Sequence, residues 1–370
     1  MSSRLEFVML ASAPGANIQS LCRTFGVSRK TGYTWLKRYQ AEGVDGLVEQ
    51  SRKPHTSPNQ SSAELEARIL ALHDAYPCWG GRKLAALLPD GLPKPHHNTI
   101  AAILRRHGRQ IAPQTDSGKR THLRFEHEAP NVLWQMDFKG HFTLTDKRAG
   151  RCHPLTILDD HSRFAVCLEA CPQETYEHAQ AALIQTFRHY GMPQRITCDN
   201  GSPWRVAAEQ SISRLEAWLI RLGIRVSHSR PYHPQTQGKD ERFHRTLKRE
   251  LLERTGFHSL QSCQLAFDKW REQYNLVRPH EALGQKPPGT RYAASARPYP
   301  ERLPAVEYDS GDEVRKVRRS RQIQFANRDI FVGEGLLGEL VAVRPTAEDG
   351  VFKVYFCDRE IRTLDLRDER

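Results

Sequence analysis
The chain is 370 residues long and carries 55 Lys and Arg against 43 Asp and Glu, a formal net charge of +12. That length suits two to four domains with a sizeable core, and the basic balance favours a polyanionic partner. No apolar run approaches the roughly 18 residues that span a bilayer, and no signal peptide is read at the start. The eight cysteines show no Cys-x-x-Cys pairing, which argues against a zinc module and for reduced cytosolic thiols.

Residues 1–50 read as a helix-turn-helix domain centred on 17–43. Asn17 can cap a first helix with Ile18, Leu21, Cys22 and Phe25 on one face. Gly26 makes the turn, Val27 is its buried residue, and Ser28 caps a second helix, Arg29–Tyr39, burying Trp35, Leu36 and Tyr39. Ser28, Arg29, Lys30, Tyr33 and Lys37 are then available to DNA, as on a recognition helix seated in a major groove. The same pattern also fits a three-helix packing module with a solvated basic face. Residues 51–60 are a polar linker punctuated by Pro54 and Pro58, where Arg52 and Lys53 could track phosphates.

Residues 61–108 read as a second helical unit. Glu64–Tyr76 turns Leu65, Ile69, Leu72 and Tyr76 inward, a helix follows Gly80-Gly81, and a third starts at Asn98 or Thr99 and buries Ile100, Ile103 and Leu104. His96 and His97 lack acidic or Cys partners and read as surface or phosphate contacts. Residues 109–129 are charged, without apolar periodicity, and read as a second linker.

From 130 to 296 the pattern turns α/β. Leu133–Leu144 is a strand whose Trp134, Met136 and Phe138 share one apolar face. Strands at Leu155–Asp159 and Phe164–Ala170 flank the turn Asp159-Asp160-His161-Ser162-Arg163, where Asp160 reads as an ordinary turn residue. A helix at Tyr176–Tyr190 leads to the run Arg195–Asp199, stopped by Asn200-Gly201. A helix at Leu215–Leu222 and a strand at Ile224–Ser229 follow. Pro231 and Pro234 keep the next stretch a loop. A helix then starts near Lys239, with Phe243, Leu247 and Leu251 as its core stripe and Glu241, Arg245 and Lys248 on another face. A last helix covers about Leu260–Tyr274. Taken alone, Glu241 describes only a solvated face. Together with Asp137, on the first of these strands, and Asp199, which ends another where an unsatisfied carboxylate is costly, it suggests convergence on a divalent metal. Hard oxygen donors suit Mg²⁺, and two ions roughly 3.5–4 Å apart can clamp both oxygens of an in-line phosphoryl displacement.

Residues 297–321 read as a proline-broken, basic linker with Arg315, Lys316, Arg318, Arg319 and Arg321. Residues 322–370 read as short strands at Gln322–Phe325, Asp329–Val332, Glu339–Arg344, Val351–Cys357 and Glu360–Leu364, a small β-barrel. The basic excess is densest in the first 125 residues, whereas 297–370 nets −1.

Trp134-Gln-Met-Asp137, Thr197-Cys-Asp-Asn-Gly201, Pro234-Gln-Thr-Gln-Gly-Lys-Asp-Glu241 and Tyr274-Asn-Leu-Val-Arg-Pro-His-Glu-Ala-Leu283 with Lys286-Pro-Pro288 occur in that order. Together they resemble the integrase catalytic core that bacterial insertion-sequence transposases share with retroviral integrases, the Asp-Asp-Glu group. The 41 residues between Asp199 and Glu241 slightly exceed the retroviral pattern, the excess falling in Ser202–Ser213. The resemblance implies a ribonuclease H-like core, with Asp137, Asp199 and Glu241 as catalytic residues and ligands of two Mg²⁺ ions, Mn²⁺ substituting. It implies that 61–108 is a second helix-turn-helix, where Arg82, Lys83, Asn98, Thr99 and Arg105 are expected at DNA. Lys239, His244, Arg245 and Lys248, on or beside the helix of Glu241, are expected to serve DNA near the scissile phosphate. The expected activity is a transposase that binds the element's terminal inverted repeats, exposes 3′-hydroxyls and joins them to target DNA as a homo-oligomer, in the cytoplasm at the bacterial nucleoid. Two rivals remain at this level: a ribonuclease H-fold endonuclease that never joins, and a catalytically inactive DNA-binding regulator.

Overall fold
The computed structural model describes residues 3–49, 60–109, 126–199, 201, 203–204, 212–228 and 238–367. They divide into two compact units between Ser62 and Ala63. Arg52 and Lys53 lie outside the described residues.

The first unit holds α1 (Ser3–Ala11), α2 (Ile18–Thr24) and α3 (Arg29–Glu42). Asn17 and Ser28 cap α2 and α3, accepting from Ser20 N and Thr31 N. The sequence reading does not anticipate α1, because Leu5, Phe7, Val8, Met9 and Leu10 are nearly contiguous and mark no single face. Yet α1 supplies the centre of this core. Phe7 and Val8 are fully buried, and Phe7 meets Phe25 and Trp35 edge-on at 5.5 and 5.6 Å. Gly32 permits the approach, since a Cβ there would stand 2.7 Å from Cys22 Sγ and 2.8 Å from the Phe7 ring.

The second unit begins with α4 (Ala63–Ala75), α5 (Gly81–Ala86) and α6 (His97–Arg106), packed through Ile69, Leu84, Ile100 and Leu104. The His96 ring caps α6 by accepting from Asn98 N, so this helix starts earlier than Asn98 or Thr99. Gly81 lets α5 cross α6, because a Cβ would come 2.5 Å from His97 O.

The strands β1 (Leu133–Phe138), β2 (Phe142–Thr143), β3 (Arg151–Asp159) and β4 (Ala165–Cys171) follow. Then come α7 (Tyr176–Tyr190), β5 (Arg195–Cys198), α8 (Arg214–Arg221), β6 (Arg225–His228), α9 (Gly238–Leu247) and α10 (Leu260–Leu276). The expected strand Leu133–Leu144 is split in two, and Gly140, at φ +81, lies in the break. The sheet runs β2-β3-β1-β5-β6, with β4 also on β3. β1 is antiparallel to β3 and parallel to β5, and β5 is parallel to β6. One face packs Trp134, Met136 and Ile157 against Leu183, Phe187 and Trp218 of α7 and α8. The other packs Leu158 and Leu168 against Phe243, Phe267 and Trp270 of α9 and α10.

The remaining strands are β7 (Glu313–Lys316), β8 (Gln322–Phe325), β9 (Arg328–Phe331), β10 (Leu340–Pro345), β11 (Val351–Phe356) and β12 (Arg359–Asp365). They do not close the expected barrel. Pairing stops at an open sheet β12-β11-β10-β7 and a separate hairpin β8-β9, which share one core. Part of the stretch expected to be a basic linker is β7, whose Val314, Arg315 and Lys316 pair with β10. Ile212, Ala217 and Ile220 join this core, so α8 seats the C-terminal strands on the central sheet. Among the described residues no helix is long and apolar enough to cross a membrane.

Candidate active site
The parallel pairing of β1 with β5 sets the site. Trp134 pairs with Ile196 and Gln135 with Thr197, so the register carries Asp137 abreast of Asp199, just past the end of β5. The Asp199 carboxylate accepts from Gly201 N at 2.9 Å, and its backbone oxygen meets His228 Nδ1 at 3.0 Å. Asp137 is mostly buried. Burial, with the facing charge of Asp199, pushes its pKa up to about 7. A carboxylate whose ionisation is opposed by burial and by a facing carboxylate is half of a hard-oxygen donor pair that a divalent cation would relieve.

Behind Asp137, Thr156 Oγ1 donates to Asp137 O at 3.0 Å and meets His244 Nε2 at 2.8 Å. The hydroxyl has one proton, already given to the carbonyl, so Nε2 is the protonated ring nitrogen. His244 Nδ1 then turns its lone pair toward Asp137 Oδ2, 3.9 Å away. Burial, with Lys139 nearby, lowers this imidazole to about 4, so it is neutral at pH 7.

The first turn of α9 lies over the same end of β1. Asp240 is buried. Its pKa is driven well above the carboxylate range by burial and by the charges of Asp137 and Asp160, and its Oδ1 has no hydrogen-bond partner. Glu241, the next residue, is exposed. Among the described residues no three His, Cys, Asp or Glu side chains stand close enough to hold one metal ion. The structure thus brings Asp137 and Asp199 together and sets Glu241 on the helix above them without gathering it to them. Asp240 is the site residue that sequence reasoning passes over; the only signal is its adjacency to Glu241.

The other candidate residues are scattered. Ser28, Arg29, Lys30, Tyr33 and Lys37 are exposed on α3. Asn98, Thr99 and Arg105 are exposed on α6, and Arg82 pairs with Glu281 at 3.1 Å. Lys83 is half-buried, lowered to about 8 by burial and by the Arg278 charge. Arg245 and Lys248 are exposed, the latter 3.7 Å from Glu253. Lys239 is turned inward and ion-paired with Asp160.

Family models fit this layout. A helix-turn-helix domain matches 3–55, a homeodomain-like domain 31–104, an integrase core domain 127–234 and again 222–288, and the C-terminal domain of IS481 family transposases 312–370. An uncharacterised 39.2 kDa protein of insertion element IS476 from Xanthomonas euvesicatoria is 26% identical over 275 residues, 73% of this chain and 76% of its own length. A 31.7 kDa protein of insertion element IS407 from Burkholderia multivorans is 26% identical over 246 residues, 65% of this chain and 84% of that protein. The transposase InsD of insertion element IS2 from Escherichia coli is 24% identical over 297 residues, 75% and 91% of the two chains. With helix-turn-helix units before an integrase core and an IS481-type C-terminal domain after it, the chain carries the domain set of insertion-sequence transposases with an integrase-like core.

Proposed function
We propose that this transposase binds the terminal inverted repeats of its element, cuts to expose 3′-hydroxyls and joins them to target DNA, with Asp137, Asp199 and Glu241 as the catalytic trio. The observation that carries this is the pair Asp137–Asp199, abreast at the ends of two parallel strands, with the first turn of α9 over them. Mg²⁺, as two ions held by these three carboxylates, would supply Lewis-acid stabilisation of charge on the attacking and leaving oxygens. The chain's own residues do the rest. The Asp137 backbone is held by Thr156, and Thr156 in turn by neutral His244, which keeps this strand end in place. Exposed Arg29, Lys30, Tyr33 and Lys37 read the element's end through bases and phosphates. Exposed Arg245 and Lys248, on or just past the helix of Glu241, neutralise backbone phosphates beside the cut. Two ends must be joined in one event, so the active assembly contains at least two protomers.

The test is one incubation of the protein with supercoiled plasmid, labelled end DNA and Mg²⁺. Labelled DNA joined to plasmid supports the proposal. Nicked plasmid without joining leaves a nuclease, and untouched DNA with retained end binding leaves a regulator.

A further inference from the structure
Asp160 sits in the turn after β3, where an aspartate needs no special reason. Its surroundings are nevertheless those of a hub. It is 1% exposed. Its backbone N–H donates to Leu133 O at 3.0 Å, so it holds the start of β1. Its Oδ1 accepts from Gln135 Nε2 at 2.8 Å, two residues before Asp137. Its Oδ2 accepts from His127 N at 3.0 Å, in the segment entering the core. Its Oδ1 is also ion-paired with Lys239, and Lys239 Nζ donates to Asp160 O at 3.3 Å. Lys239 is two residues before Glu241, and its side chain is only 16% exposed.

We infer that Asp160 and Lys239 are positioning residues: their buried ion pair locks the first turn of α9 to β1 and so sets Glu241 over Asp137 and Asp199. The inference rests on the carboxylate trio being the site. It follows from the bonding pattern. One carboxylate binds the strand of Asp137 through Gln135 and the helix of Glu241 through Lys239, so the two elements share an anchor whose length is fixed by hydrogen bonds. A lysine held this way is not offered to DNA, unlike exposed Lys248. Supporting groups behind metal ligands typically matter by about 10–100-fold in metal affinity or activity.

The experiment compares Lys239→Met, Asp160→Asn, the double variant and Asp199→Asn as full-length protein. It reads end-DNA affinity against salt, joining against Mg²⁺ concentration, and the rise in melting temperature on adding Mg²⁺. Lys239→Met is expected to keep wild-type end affinity and salt slope, to need more Mg²⁺ for half-maximal joining, and to join about 10–100-fold more slowly. It should also show a smaller Mg²⁺-induced melting shift, a readout that holds even if the variant is less stable overall. The double variant should be no worse than the weaker single one, because the pair acts as a unit. A fall in end affinity with a salt slope shallower by about 0.9, and an unchanged Mg²⁺ response, would make Lys239 a phosphate contact and overturn the inference. Additive losses in the double variant would also overturn it. Asp199→Asn separates the two levels: if it joins like wild type the proposed site itself is wrong, whereas if it is inactive and Lys239→Met is normal only the positioning role fails.

Discussion

Removing the charge of Asp137 should stabilise the metal-free protein, and the gain should depend on pH. The raised pKa means that the folded state holds the Asp137 proton more tightly than the unfolded chain does. The penalty for ionising it is therefore absent below the unfolded value, builds as pH rises from 3.8 to about 7, and stays constant above. That rise corresponds to ~4 kcal/mol at most. The side chain is 24% exposed, and solvent screening reduces the figure to ~2 kcal/mol. Asp137→Asn keeps the shape and cannot ionise. In EDTA its melting temperature minus that of wild type should grow between pH ~5 and pH ~8, by about 2–3 °C at roughly 2 °C per kcal/mol for a unit of this size, since about two-thirds of the penalty builds in that window. Saturating Mg²⁺ should shrink the gap by raising wild type more than the variant. A gap of the same size at both pH values in EDTA would refute the view of Asp137 and Asp199 as a pair in need of a cation.

Three further outcomes follow from the packing. Glu250→Gln leaves Arg278, its 2.9 Å partner, as an uncompensated buried charge and should cost about 3–5 kcal/mol in chemical denaturation; a loss below ~1 kcal/mol would contradict that reading. Gly335→Ala would bring a Cβ to 2.3 Å of the Ser213 backbone, so it should loosen the C-terminal strands from α8 at a cost of about 1–3 kcal/mol, seen as faster proteolysis between them; unchanged cleavage would count against that docking. Lys37→Ala should weaken binding to all DNA about equally and reduce the salt slope by about 0.9, while Arg29→Ala should also relax preference for the element's end; equal behaviour of the two in titrations against end and random DNA would sink the assignment.

The central sheet was legible because its strands carry local signals. Trp134, Met136 and Phe138 alternate, and Asn200-Gly201 stops the run that leads to Asp199. Asn17 and Ser28 mark helix starts because their oxygens cap backbone donors wherever the tertiary structure lies. Other features depend on long-range seating. Asp240 and Glu241 point about 100° apart on a helix, and which one turns inward is decided by how α9 rests on β1. The partner of Lys239 is 79 residues away in the chain. The C-terminal strands were readable one at a time, but their pairing into an open sheet and a hairpin was not, because alternation carries no record of which strand lies beside which. Strand β7 was hidden because Glu313-Val-Arg-Lys316 is charged on both faces.

The most direct measurement of the central claim is strand joining by Glu241→Gln at saturating Mg²⁺, with end binding followed in the same samples. The account predicts joining abolished and end binding intact, because the glutamine keeps the shape and one oxygen but removes a charged ligand. Joining near the wild-type rate would mean that Glu241 belongs to the solvated face of α9 and that the third carboxylate, if there is one, lies elsewhere.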